Sequence, residues 1–277
     1  MALTDEAARH LAYSLLTAET ARDGQRTIGA SNLSNGCSFC LASNLMGDMR
    51  DTPMMDRVWL GRTLGTSIHG IFEQRANTLK WFAERHPRAL VEQHMILGEI
   101  PGYGTVGSTP DLTLVDERHT FDWKSSTRKK SAIMTDAIGR THFSRTHKDI
   151  KLSEAKYAEA IRDALYKIGG YHSQVQSYMR GLNNMGIPVE RGTLVFVNRD
   201  GTGYFDHPSS GGYEDDERVH DLWVLSFDYN AQAAEAVWDR GLQIWAALQN
   251  GAVPSDFARH ESCFPCGQER QQERIAA

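Results

Sequence analysis

Apolar residues spaced three and four apart mark the helices of this chain. Between Thr4 and Ala21, the residues Ala8, Leu11, Ala12, Leu15 and Leu16 form one stripe. Asp5 and Glu6 suit its first turn and Gly24 follows its end. Ser31 to Met46 reads as helical too. Thr63 to Arg85 carries Leu64, Ile68, Ile71, Phe72 and Leu79, with Pro87 beyond it. Ser153 to Leu182 repeats the pattern, with a break expected at Gly169-Gly170. Asn230 to Gln249 is followed by Gly251 and Pro254.

Between these stretches the period shortens to two. Val91, Gln93, Met95 and Leu97 predict one strand, followed by a glycine-rich turn from Gly98 to Gly107. Leu112 to Val115 and Thr120 to Trp123 predict a pair of strands around a turn at Asp116-Glu117-Arg118. Thr193 to Asn198 and Leu222 to Phe227 predict two more. Arg199 to Gly203 reads as a turn and Asp206 to Asp221 as a polar loop. Ser125 to Lys151 is basic and poor in large apolar residues, so a loop or short helices are expected there. Helices alternating with strands give an α/β chain. Without repeats or an obvious linker, residues 1–277 read as one domain.

Composition adds mostly exclusions. With 40% hydrophobic and 23% charged residues, the chain is neither disordered nor fibrous. No run approaches the ~18 apolar residues of a membrane span. The start, Met1 to Glu6, has no basic, apolar leader, so an intracellular, cytoplasmic protein is expected. The net charge of -5 conceals an asymmetry. From Lys124 to Lys167 there are eleven Lys or Arg against five Asp or Glu, so this stretch is strongly positive on an acidic chain. Such a concentration is an electrostatic footprint for nucleic acid, although a solvated helix face shows it too.

Two patterns carry chemistry. The four cysteines form two C-x-x-C pairs, Cys37 with Cys40 and Cys263 with Cys266. Outside an oxidising compartment, that spacing reads as a metal site. The second pattern is Pro110-Asp111, followed eleven residues later by Asp122-Trp123-Lys124. Asp122 and Lys124 share one face of a strand. An even-numbered hairpin turn sets Asp111 opposite Asp122 on that face, so an even turn or a bulge is expected. Two carboxylates and an ammonium at a sheet end suit Mg²⁺- or Mn²⁺-assisted phosphodiester hydrolysis, with the lysine offsetting charge on the phosphate or handling the water proton.

Further residues complete an order along the chain: Gly65-x-x-x-His69, Pro110-Asp111, Asp122-x-Lys124, then Gln174-x-x-x-Tyr178. In this order the chain resembles the PD-(D/E)XK nuclease superfamily and, more narrowly, its RecB-like exonuclease branch that includes Cas4-like proteins. The resemblance implies a restriction-endonuclease-like core, a mixed central sheet flanked by helices, over about residues 60–230. It implies that His69, Asp111, Asp122 and the backbone carbonyl of Trp123 hold the metal. Lys124 would be the catalytic lysine, and Gln174 and Tyr178 would orient substrate or support the site.

The resemblance also implies a four-cysteine [4Fe-4S] cluster joining the N-terminal (30–60) and C-terminal (250–270) segments into a helical cap. Cas4-like proteins place one cysteine early and three late, whereas this chain divides them two and two, which is equally the pattern of a structural zinc site. The expected activity is a metal-dependent DNA exonuclease on single-stranded DNA or DNA ends. A homo-oligomer and recombination or replication partners are compatible with it. The basic stretch would line the DNA path, with Phe143, Tyr157 and Tyr171 as candidate stacking residues. The alternative is a non-catalytic DNA-binding adaptor with a structural four-cysteine metal site.

Overall fold

The computed structural model describes residues 28–47, 56–139, 154–198 and 222–267. The expected helix over Thr4 to Ala21, Phe143, the second half of the basic stretch, the Arg199 to Gly203 turn and the Asp206 to Asp221 loop lie outside them.

The elements run α1 (Ala30–Leu33), α2 (Ser38–Leu45), α3 (Asp56–Thr78), α4 (Lys80–Arg85), β1 (Ala89–Val91), β2 (Met95–Ile100), β3 (Gly104–Ser108), β4 (Leu112–Leu114), β5 (His119–Ser126), α5 (Arg128–Ala137), α6 (Glu154–Asn184), β6 (Arg191–Asn198), β7 (Leu222–Asp228) and α7 (Ala231–Gln249). One sheet has the order β1-β4-β5-β6-β7, and β2 with β3 forms a separate hairpin. Only β5 and β6 are parallel; the other pairs in the five-stranded sheet are antiparallel. A parallel pair needs a long crossover, which α5 and α6 supply. The result is the expected α/β class, a mixed sheet flanked by helices.

The core lies between α6 and the sheet. Val175, Met179 and Leu182 of α6 are buried against Leu194 and Phe196 of β6, with Met95 and Ile100 of β2 alongside. Each such side chain contributes roughly 1.5–3 kcal/mol by leaving water. Close approach needs glycine at one point: a Cβ on Gly192 would stand 2.5 Å from Val175 Cγ1.

Several expected boundaries are corrected. The helix read over Ser31 to Met46 is two. Between them Asn35 Oδ1 accepts the amide of Cys37 (3.0 Å) and the hydroxyl of Tyr166 (2.7 Å), drawing the chain out of helical conformation. Thr63 to Arg85 is likewise α3 and α4, parted at the extended residue Leu79, and α3 begins seven residues earlier, at Asp56. The single strand through Val91 and Leu97 is split by Glu92, whose φ of 48° cannot continue a strand. The region from Gly98 to Gly107 is a hairpin. Gly98 and Gly107 answer to packing, because a Cβ at Gly98 would lie 2.7 Å from the Trp238 ring and one at Gly107 2.5 Å from the His94 ring, while Gly102 (φ 77°) and Gly104 (φ 117°) shape the turn. Of the loop or short helices expected over Ser125 to Lys151, Arg128–Ala137 is a helix capped by Thr127, which accepts the amide of Lys130. Ser131 and Thr135 supply its polar buried positions; Ser131 Oγ donates to Asn198 Oδ1 (2.6 Å). Finally, α6 continues through Gly169-Gly170, because packing on both sides outweighs the ~1 kcal/mol that each glycine costs a helix. Among the described residues no helix is long and apolar enough to cross a membrane.

Candidate active site and thiol cluster

The β4–β5 turn contains the even number expected. Leu114 pairs with His119 and Leu112 with Phe121, leaving Val115–Arg118 as a four-residue connection. One step further along this register, Asp111 faces Asp122. The β1–β4 register pairs Val91 with Leu112, so the next step sets Glu92 beside Asp111, and the Glu92 amide donates to the Asp111 carbonyl (3.1 Å). Glu92, Asp111 and Asp122 therefore lie in one row across three neighbouring strand ends.

Each carboxylate has a distinct partner. Asp111, 6% exposed, accepts from the Trp123 amide at 2.5 Å through one oxygen and meets His69 Nδ1 at 2.9 Å through the other. His69 reaches the row from α3, whose Phe72 stacks on Trp123 with centroids 4.3 Å apart. Glu92 Oε1 lies 4.0 Å from His69 Nδ1. Asp122, 2% exposed, pairs with Lys124 Nζ at 2.7 Å. Lys124 in turn lies over the Tyr171 ring, 5.0 Å from its centroid. Below the pair, Gln174 donates to the Tyr178 hydroxyl, and Tyr178 also bonds Ser108.

The electrostatics follow from burial. Desolvation raises the Asp122 pKa, Lys124 opposes that rise, and the Asp111 charge adds to it, so the net direction is upward. For Lys124, burial would lower the pKa, but the Asp122 charge and hydrogen bond outweigh it. His69 behaves similarly: burial disfavours its cation, and Asp111 more than restores it. Burial, then the two aspartates, hold Tyr178 well above an ordinary phenol, so it stays a neutral donor. Three carboxylates face one ammonium and His69, which leaves the row short of positive charge that a divalent cation would balance.

Among the described residues, His69, Glu92 and Asp111 form the tightest donor set here, with ligand atoms all within 4.8 Å. Asp122, expected as a metal ligand, is turned to Lys124; Trp123 meets Asp111 through its N–H. Glu92 escaped the sequence reading because it sits in a run that reads as continuous strand. Its left-handed backbone, costing on the order of 1 kcal/mol, is an outlier of the kind that collects at functional sites. The hard oxygen donors suit Mg²⁺ or Mn²⁺.

Of the proposed stacking residues, Tyr171 packs under Lys124 and against Phe196, and the Tyr157 hydroxyl donates to Asp136 of α5 (2.9 Å). Both are engaged within the fold. From the basic stretch, Lys129, Lys130, Lys156 and Lys167 are exposed.

The cysteines meet as a second cluster. Cys37 caps α2, Cys40 lies in its first turn, and Cys263 and Cys266 come from the C-terminal segment. All four are buried, and their sulfurs form one group. The cluster is tied down from every side. The Phe39 amide donates to the Ala258 carbonyl (3.1 Å), Tyr166 of α6 stacks on His260 (4.1 Å), and Arg259 lies over the Phe39 ring (4.1 Å). Arg240 of α7 donates to the carbonyls of Leu33 and Asn35. Hydrogen bonding from Cys40 brings Cys263 down to about 5, and burial holds Cys266 up at about 12.

No family model and no curated protein matches the chain. Among solved structures, the chain is similar to an alkaline exonuclease from Laribacter hongkongensis, at 11% identity and a TM-score of 0.43, covering 83% of this chain and 91% of that one. The same exonuclease in complex with dAMP gives 11% and 0.43, covering 81% and 88%. A phage-related exonuclease from Haemophilus somnus gives 12% and 0.40, covering 81% and 95%. Likenesses this shallow carry no weight for function, which is read from the chain's own residues.

Proposed function

We propose that this protein is a divalent-metal-dependent deoxyribonuclease of the PD-(D/E)XK type, RecB-like or Cas4-like, that removes nucleotides from single-stranded DNA or DNA ends. The observation that supports it most is the row Glu92–Asp111–Asp122 at the strand ends, closed on one side by His69 and on the other by Lys124. Held by His69, Glu92 and Asp111, with Asp122 adjacent, Mg²⁺ or Mn²⁺ would polarise the scissile phosphate and make its bound water acidic.

The chain's own groups do the rest. Asp122 fixes the Lys124 ammonium beside the row, where it offsets negative charge developing on the phosphate oxygens and orients the attacking water. The Tyr171 ring covers one side of that ammonium, which strengthens its field. Gln174 keeps the Tyr178 hydroxyl aimed. Exposed lysines of α5 and α6 supply sequence-independent attraction for the DNA backbone. The thiol cluster takes no part in hydrolysis in this reading; it clasps the two ends of the chain.

The test is digestion of end-labelled single- and double-stranded DNA with Mg²⁺ or Mn²⁺ by the wild type, Asp122→Ala and Lys124→Ala. Mononucleotide release by the wild type and none by the folded variants is expected. Tight DNA binding without cleavage in either metal would favour the adaptor reading instead. Equal cleavage by all three would remove this row as the active site.

A further inference from the structure

We infer that the four-cysteine group binds a single tetrahedral zinc ion in place of a [4Fe-4S] cluster. The inference rests on reading Cys37, Cys40, Cys263 and Cys266 as a metal site and is independent of the nuclease reading.

Sulfur spacing carries it. Cys40 Sγ lies 3.4 Å from Cys263 Sγ and 3.5 Å from Cys266 Sγ, and Cys37 Sγ lies 3.6 Å from Cys266 Sγ. The whole set falls within 4.8 Å. Four thiolates bound tetrahedrally at about 2.3 Å from one zinc ion stand about 3.8 Å from one another. A cubane pushes its thiolates outward over four irons and four sulfides, so that neighbouring cysteine sulfurs stand about 6 Å apart. The observed edges match the single ion and fall well short of the cubane.

The surroundings oppose expansion. Cys37 and Cys266 are fully buried, and Cys37 Sγ already reaches the Ala258 carbonyl at 4.0 Å. Phe39, between the two early cysteines, is buried under Arg259. Tyr166 is pressed into the loop carrying Cys37, at a point where Gly36 has no room for a Cβ (2.8 Å). Widening the site would displace α2, the Asn35–Cys37 loop and the Arg259–Ser262 segment together.

The two-and-two division of ligands points the same way. Each C-x-x-C pair contributes one edge of the tetrahedron, and the Cys266 amide donates to the Cys263 sulfur, as in a compact metal knuckle. Two helix starts from segments over 200 residues apart suffice to close a small ion site.

The full-length protein is purified anaerobically from medium containing both iron and zinc, and then assayed for metals and acid-labile sulfide. About one zinc per chain, no sulfide and no absorption near ~400 nm are expected. Exchange with Co²⁺ is expected to give the intense visible bands of a tetrahedral tetrathiolate. X-ray absorption at the zinc edge is expected to show a sulfur shell at about 2.3 Å and no metal neighbour. Brown protein holding about four irons and four sulfides overturns the inference. Protein that carries neither metal and gives no cobalt spectrum overturns it together with the metal-site reading. DNA digestion by the same preparation separates the two claims: a zinc-loaded protein that fails to cut supports this inference and sinks only the nuclease reading.

Discussion

The carboxylate row and the thiol cluster are built on opposite terms. The row is unbalanced and partly open. His69 is 23% exposed and Lys124 16%, while three acids converge on one ammonium. The cluster is closed, with four buried donors gathered into one group. Catalytic metal sites keep a position for substrate and water, whereas structural ones saturate their ion. Both clusters can draw in a cation, but only the row leaves room for something to react.

The comparison breaks most sharply at the Asp122–Lys124 pair. Lys124→Met is expected to lower the digestion rate by about a thousandfold or more. It is also expected to destabilise the fold by roughly 3–5 kcal/mol, because Asp122 is left buried without its partner. Adding Asp122→Asn should recover most of that stability and none of the activity. Urea melts and digestion assays on the single and double variants read both effects, and recovery of activity in the double variant would remove the pair from catalysis.

Loss of the thiol-site metal, by Cys40→Ser or by chelation, is expected to do the reverse. Stability falls by several kcal/mol, while the digestion rate of protein still folded at low temperature is retained. A rate that collapses before the fold does would mean that the two sites are not separate. Glu92→Gln tests the acid that the sequence reading missed. The Mg²⁺ concentration for half-maximal digestion should rise by about tenfold or more, with little change in the melting temperature. An unchanged metal requirement would leave Glu92 outside the site.

The smallest effect belongs to α6. A Cβ on Gly169 meets nothing within 4 Å, so Gly169→Ala should stabilise the protein by about 1 kcal/mol, or ~2–4 °C in Tm. No change in DNA digestion is expected. A fall in melting temperature would mean that the helix is strained at that point.

What the sequence disclosed depended on how locally each feature is encoded. The β4–β5 hairpin was legible because strand period and turn parity follow from Asp111, Asp122 and the residues between. The start of the last helix at Asn230 was legible for the same reason: the Asn230 side chain caps α7 by accepting the Ala233 amide a few residues on. The β2–β3 hairpin was not, because Gly98 and Gly107 signal a turn by local chemistry yet lie within its strands, where the Trp238 ring of α7 and the His94 ring leave no room for a side chain. Glu92 was hidden likewise, since its role comes from β-sheet register with Asp111 and from α3 delivering His69. The two C-x-x-C pairs announced a metal site; the spacing of the sulfurs, which bears on which metal, exists only in three dimensions.

Helix α6 reaches both sites. Its 31 residues are gripped at Tyr166 by the cysteine end and at Gln174 and Tyr178 by the carboxylate row, and Gly169-Gly170 falls between those grips. Tyr166 and Tyr171 are only about 8 Å apart along the axis, yet the weakest stretch of helix separates them. The helix thus works as a shaft that fixes the span between its two bearings, with its lowest intrinsic helix propensity between them.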